Sequence, residues 1–195
     1  MRSLDQIEPE AFWISPTPHV PNSKLPVLVY RNALQDTSQE NILDTIEPND
    51  WLKGGRFTTY KKAHFHTTVH ECYAVIQGRT TYQLGKSPID TDFNNEGQEN
   101  GRKLSVQKGD VFVLPAGISH CSLESEGDYE YIGLYPREPS GAKARFDMNY
   151  GLQPEHETAE LAAKCDRLPI PALDPLYGQD GPLPKLWRET FERSP

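Results

Sequence analysis

The stretch HFHTTVHECYAVIQG, residues 64–78, decides how this chain is read. It places three of the chain's six histidines and a glutamate within eight residues, then runs into an apolar segment that stops at Gly78. His64 and His66 stand two apart, so on an extended chain both side chains leave the same face. Glu71 opens the next strand after a gap wide enough for a turn. Alternation from Glu71 puts Tyr73, Val75 and Gln77 on its face, and Cys72, Ala74 and Ile76 on the other. His70 faces away from Glu71, which predicts a structural or solvent-exposed side chain. Gly78 is expected to end the strand.

A second stretch, GDVFVLPAGISH at 109–120, complements the first. Gly109 starts a strand, Pro115 and Gly117 turn it, and His120 begins another. If these two stretches pair, three imidazoles and one carboxylate converge. Such a set suits Fe, Mn, Ni, Zn or Cu and suits Mg or Ca poorly. It also leaves positions open around a six-coordinate ion, as a reactive site requires. The competing expectation is a set of hydrogen-bonded core histidines.

Working outward, residues 54–136 read as short strands separated by turns: FTTYKKAHF, ECYAVIQG, TTYQLG, LSVQKGD, VFVLPAG, SHCSLES and YEYIGLYP. That spacing predicts an all-β sandwich or barrel. Residues 86–101 are polar and rich in Gly and Asn, an exposed hairpin excursion. Upstream, VLVY at 27–30 reads as a strand. Thr37 and Glu40 have capping-box spacing ahead of a short helix bearing Ile42, Leu43 and Ile46. Residues 1–26 read as a Pro-rich arm. Downstream, EHETAELAAKC predicts a second short helix, followed by an irregular tail anchored by Leu176, Tyr177, Leu183, Leu186 and Trp187. One domain results: an arm, strand and helix over 1–53, a barrel over 54–138, and an extension over 139–195.

The 195 residues carry 20 Lys and Arg against 28 Asp and Glu, a net charge of −8. No basic stripe exists to neutralise a phosphate backbone, which argues against nucleic acid as a partner. No apolar run is long enough for a membrane helix, and the first residues lack the apolar core of a signal peptide. Cys72, Cys121 and Cys165 have no metal-finger spacing and read as reduced thiols of a cytoplasmic protein. Cys72 and Cys121 are expected to be buried core thiols.

His64-x-His66, four residues, Glu71, six residues, Gly78 resembles the first motif of the cupins. Gly109, five residues, Pro115-x-Gly117, two residues, His120 resembles the second. The resemblance covers 65–125 in detail and 54–136 in strand pattern. It departs at Thr58 and Glu124, where the cupin pattern has glycine and asparagine. The flanks LPVLVYRNAL and DPLYGQDGPLPKLW look like the YjlB-like branch of single-domain cupins. The resemblance implies a double-stranded β-helix, a jelly-roll barrel with one divalent transition metal in its mouth. It implies His64, His66, Glu71 and His120 as the metal ligands. The expected function is metal-dependent chemistry on a small organic molecule, dioxygenase-type oxidation first, with Glu71 as the base. Non-redox isomerisation, decarboxylation or dehydration is the alternative, and non-catalytic metal or metabolite binding the second. Tyr60, Tyr73, Gln77 and Tyr82 are candidates to line the substrate site. The arm suggests a homodimer.

Overall fold

The computed structural model describes residues 6–193, so the first five residues of the expected arm lie outside it. The strands are β1 (Glu10–Phe12), β2 (Val27–Tyr30), β3 (Trp51–Thr58), β4 (Glu71–Leu84), β5 (Arg102–Gln107), β6 (Val111–Leu114) and β7 (His120–Pro136). The α-helices are α1 (Gln39–Ile46), α2 (Thr158–Cys165) and α3 (Pro182–Arg193). Strand neighbours run β1-β2-β6-β4-β7-β3, all antiparallel, with β5 also paired to β4. This is the all-β architecture that the strand spacing predicts, with the jelly-roll form that the resemblance implies.

Both faces of the sheet are covered, which explains why VLVY and VFVL are apolar without a break. Val27, Val29, Phe112 and Leu114 point into the barrel with Tyr73 and Val75. Leu28, Tyr30, Val111 and Val113 point outward into a second core with Cys72 and Ala74. Ile42 and Ile46 of α1 and Leu183 and Trp187 of α3 roof that outer core, all four with no exposed surface. Each such aliphatic burial stabilises the fold by roughly 1.5–3 kcal/mol.

The structure corrects several local expectations. Gly78 does not end its strand. It sits at φ +65° within β4, and β7 bends at the same level through Gly127 at φ +67°. A Cβ on Gly78 would lie 2.4 Å from the Glu126 carbonyl oxygen, so the two strands close on each other only with glycine there. Two pairs of expected strands are therefore two long bent ones. β3 begins at Trp51 and ends at Thr58, leaving Tyr60 to Ala63 outside any strand. The cap of α1 is Ser38, whose hydroxyl accepts from Asn41 N, while Thr37 donates to Ile76 O. β1 falls in the arm read as irregular, and α3 in the tail. Pro182 and Pro184 mark turn or coil in sequence. In the first turn of a helix they cost little, because amides there have no partner within the helix.

Candidate metal centre

Strand pairing brings the two histidine stretches together. β4 begins at Glu71, opposite Leu114, where β6 ends. Pro115 to Gly117 reverse the chain. Gly117 takes φ +93°, and a Cβ there would lie 2.6 Å from the Asn22 carbonyl oxygen. His120 then opens β7 and forms a bridge with His64, with N–H to carbonyl distances of 2.9 and 3.3 Å. Gly117 N donates to the His66 carbonyl at 2.8 Å.

His64, His66 and His120 could together hold a metal ion: each offers a ring nitrogen, and these nitrogens lie within 4.8 Å of one another. Glu71 adjoins two of them: Oε1 is 3.4 Å from His66 Nε2, and Oε2 is 3.3 Å from His120 Nε2. All four side chains are buried. Each ring turns Nδ1 to a backbone carbonyl: His64 to Lys62 O at 2.9 Å, His120 to Ile118 O at 3.0 Å, and His66 to Asp147 O. A carbonyl only accepts, so each neutral ring carries its proton on Nδ1 and keeps a lone pair on Nε2. The Tyr73 hydroxyl donates to Glu71 Oε1 at 2.8 Å.

The charges in this cluster fit a cation. Burial, helped by the nearby His120 ring, pushes His64 down to about 3. Burial also lowers His120. Burial works to raise Glu71, but His66 and His120 hold its carboxyl down at about 2. His66 alone shifts upward: burial opposes its charge, and the Glu71 carboxylate outweighs burial. The buried carboxylate thus favours positive charge beside it, at His66. A divalent ion would supply that charge. Three neutral nitrogen donors and a carboxylate suit a divalent transition ion.

Residues 60–155 match the family model described as Cupin. This span is a cupin domain. The chain is 27% identical over 181 residues to YjlB of Bacillus subtilis (strain 168), a protein described as uncharacterized, covering 92% of this chain and 97% of that one. Among solved structures it overlaps RmlC from Streptococcus suis in complex with dTDP-D-xylose at TM-score 0.34 and 11% identity, over 69% of this chain and 73% of that one. It overlaps the Mn(II)-containing oxalate decarboxylase of Bacillus subtilis at TM-score 0.27 and 21% identity, over 56% of this chain and 24% of that one. The ribosomal oxygenase YcfD from Escherichia coli follows at TM-score 0.30 and 14% identity, over 59% of this chain and 32% of that one. Overlaps this loose carry no reaction from one chain to another.

In this protein a cavity of about 360 Å³ opens onto the cluster, walled chiefly by Phe57, Tyr60, Tyr131, Tyr135, Phe146 and Met148. Of the residues expected to line it, Tyr60 packs edge-on to His64 at 4.8 Å, and Tyr73 borders Glu71. Tyr82 lies elsewhere in the barrel interior, its hydroxyl 2.9 Å from that of Tyr129. Gln77 is corrected outright. A register irregularity between Val75 and Gln77 turns it out of the barrel, where it is exposed and bonds Gly127 O. His70 is buried on the outer face, accepting from Ala116 N at 3.0 Å. Cys72, Cys121 and Cys165 are free and buried. Sequence reasoning missed Arg56, Phe57, Tyr131, Tyr135, Phe146, Asp147 and Met148. Phe57, Tyr131 and Tyr135 are signalled by alternation along their strands, whereas nothing local marks residues 146–148. No helix among the described residues is long and apolar enough to cross a membrane.

Proposed function

We propose that this protein is a metal-dependent enzyme that oxidises a small organic molecule with dioxygen, using His64, His66, His120 and Glu71. One observation carries the reading: three imidazoles, each oriented through Nδ1, share a buried point with a carboxylate, and that point opens onto a cavity. A closed structural site needs no such opening. A bound transition metal supplies Lewis-acid polarisation of a chelated oxygen and, when redox-active, electrons for dioxygen chemistry.

The chain's own residues do the rest. The aromatic walls hold an apolar body and exclude water, which strengthens every charge interaction within. Arg56, ion-paired with Glu130 at the wall, marks where an anionic group of the substrate can dock. Tyr73 occupies Glu71 Oε1, so Oε2 is the oxygen that takes a substrate proton. That same carboxylate supports a second reading, proton-transfer chemistry without oxidation.

Elemental analysis of protein purified without added metal or a His-tag tests the proposal, followed by oxygen uptake with enol and catechol compounds. Iron, manganese or copper with oxygen uptake supports oxidation. Zinc with turnover and no oxygen uptake selects the second reading. Retention of stoichiometric metal by both His64→Ala and His120→Ala refutes the ligand assignment. A ligand that raises the melting temperature without turning over marks a binding protein instead.

A further inference from the structure

The chain beyond β7 returns across the site. Phe65 N donates to Asn149 O at 2.8 Å, and Asn149 N to Phe65 O at 3.0 Å. Phe146 packs 5.0 Å from the His66 ring and stacks on Tyr135. Asp147 lies between these two anchor points. Its backbone carbonyl accepts from His66 Nδ1. Its carboxylate faces four donor groups, one of which, the Thr68 hydroxyl, shares its single proton with the Arg145 carbonyl at 3.0 Å. Oδ1 accepts from Thr67 N at 2.7 Å and from Thr68 Oγ1 at 3.1 Å. Oδ2 accepts from Thr67 Oγ1 at 2.7 Å and from Asn149 Nδ2 at 2.6 Å. Asp147 N donates in turn to Thr68 Oγ1 at 3.1 Å.

We propose that Asp147 is a positioning residue for the metal centre: its carboxylate, gripped by Thr67 and Thr68, fixes the carbonyl that orients His66. This inference rests on the reading that the three imidazoles hold a metal. The contrast with the other two rings carries it. His64 and His120 lean on carbonyls only two residues away, where local backbone geometry sets the contact. The carbonyl for His66 comes from 81 residues along the chain, on a segment outside the sheet. Local geometry cannot hold it there. The grip by Thr67 and Thr68 can, because those residues follow His66 directly. Ring, threonines and carboxylate close a loop, so the acceptor moves with the histidine it serves. Asp147 is not itself a ligand, since donors already occupy both its oxygens.

Partners of this kind orient the ring and raise its basicity, and their loss typically weakens metal binding about 10–100-fold. The test is Zn²⁺ and Mn²⁺ affinity of the full chain, by competition with a chromophoric chelator, alongside the melting temperature of metal-free protein. Asp147→Ala should weaken binding about 10–100-fold. Asp147→Asn, which keeps an acceptor for Thr67 N, should recover part of that loss. Arg137→Ala, which breaks an ion pair to Asp50 on the same outgoing segment, should bind as wild type. The ¹⁵N signal of His66 Nδ1 should change in Asp147→Ala while those of His64 and His120 stay. A role in stability alone would lower the melting temperature and leave the affinity of folded protein unaltered. Asp147→Ala that is fully folded and binds within about twofold of wild type overturns the inference. Should Asp147→Ala not fold, Thr68→Val carries the same expectation in milder form, and unchanged affinity there overturns it equally. Wild-type protein that binds neither ion removes the metal reading and this inference with it. Tight wild-type binding with unaffected variants removes this inference alone.

Discussion

Acid should destabilise this protein through His70, by an amount that follows from the burial of that ring. His70 is 4% exposed, and its Nδ1 accepts the Ala116 N–H at 3.0 Å. Trp187 of α3 packs 4.9 Å from it, and Nε2 faces the Pro169 carbonyl without a well-formed hydrogen bond. Burial pushes the ring down from 6.5 to about 4. Because the folded value lies below the unfolded one, the unfolded chain takes the proton first. The stabilisation is therefore complete above pH 6.5 and is lost as pH falls through about 4. From 6.5 to about 4, at ~1.36 kcal/mol per unit, the loss is about 3 kcal/mol. Other groups titrate in the same window, so the measurement must be a difference. His70→Gln keeps a side-chain oxygen for Ala116 N and does not titrate. Urea unfolding of both proteins, with chelator present, should show the wild type losing about 3 kcal/mol more than the variant between neutral pH and pH 4. Parallel pH dependence would refute the reasoning, since it would mean that α3 leaves the ring hydrated.

Glu71→Gln should weaken metal binding at least about tenfold while keeping the bond from Tyr73. It should also bring the His66 titration down in metal-free protein, because the carboxylate that raises it is gone; an unmoved His66 in an NMR titration would count against this. Asp174→Ala should cost roughly 2–6 kcal/mol, as it strands the buried Tyr30 hydroxyl and Leu183 N. Adding Tyr30→Phe should then return part of that loss, and a cost under about 1 kcal/mol for Asp174→Ala would contradict the account. Gly78→Ala should cost at least about 2 kcal/mol in chemical denaturation, from strain plus the clash with β7. Gly97→Ala, at φ +75° with nothing within 4 Å, bears the strain alone, so equal costs at the two positions would deny the clash.

Much of the barrel and the inward half of the site could be read from spacing. A strand pair obeys a period of two, so His64, His66, Glu71 and His120 are fixed relative to one another once the hairpins pair. The limits appear at Gly78. A glycine after an apolar run ends a strand or bulges it, and both uses exploit the same freedom at positive φ. Only the facing bend at Gly127 selects the bulge, and that partner is a tertiary fact. The consequence spreads along the chain. Beyond the bulge parity reverses, so Tyr82 and Leu84 point inward together with Tyr73 and Val75. Gln77, beside the bulge, leaves the barrel. Strict alternation from Glu71 misplaces it for the same reason.

The two halves of the site also differ in how they are encoded. Glu71 meets Tyr73 two residues away, and the ring anchors of His64 and His120 are equally local. Short-range spacing suffices for these contacts, and the cupin motifs record them. Phe146, Asp147 and Met148 come from a segment without periodicity, whose place depends on the bridge to Phe65 and the grip of Thr67 and Thr68. That segment supplies both the acceptor for His66 and part of the cavity wall. The orientation of one proposed ligand is thus coupled to the shape of the pocket. A change at 146–148 that admits a different molecule will also shift His66, so specificity and metal affinity should not vary independently in this protein.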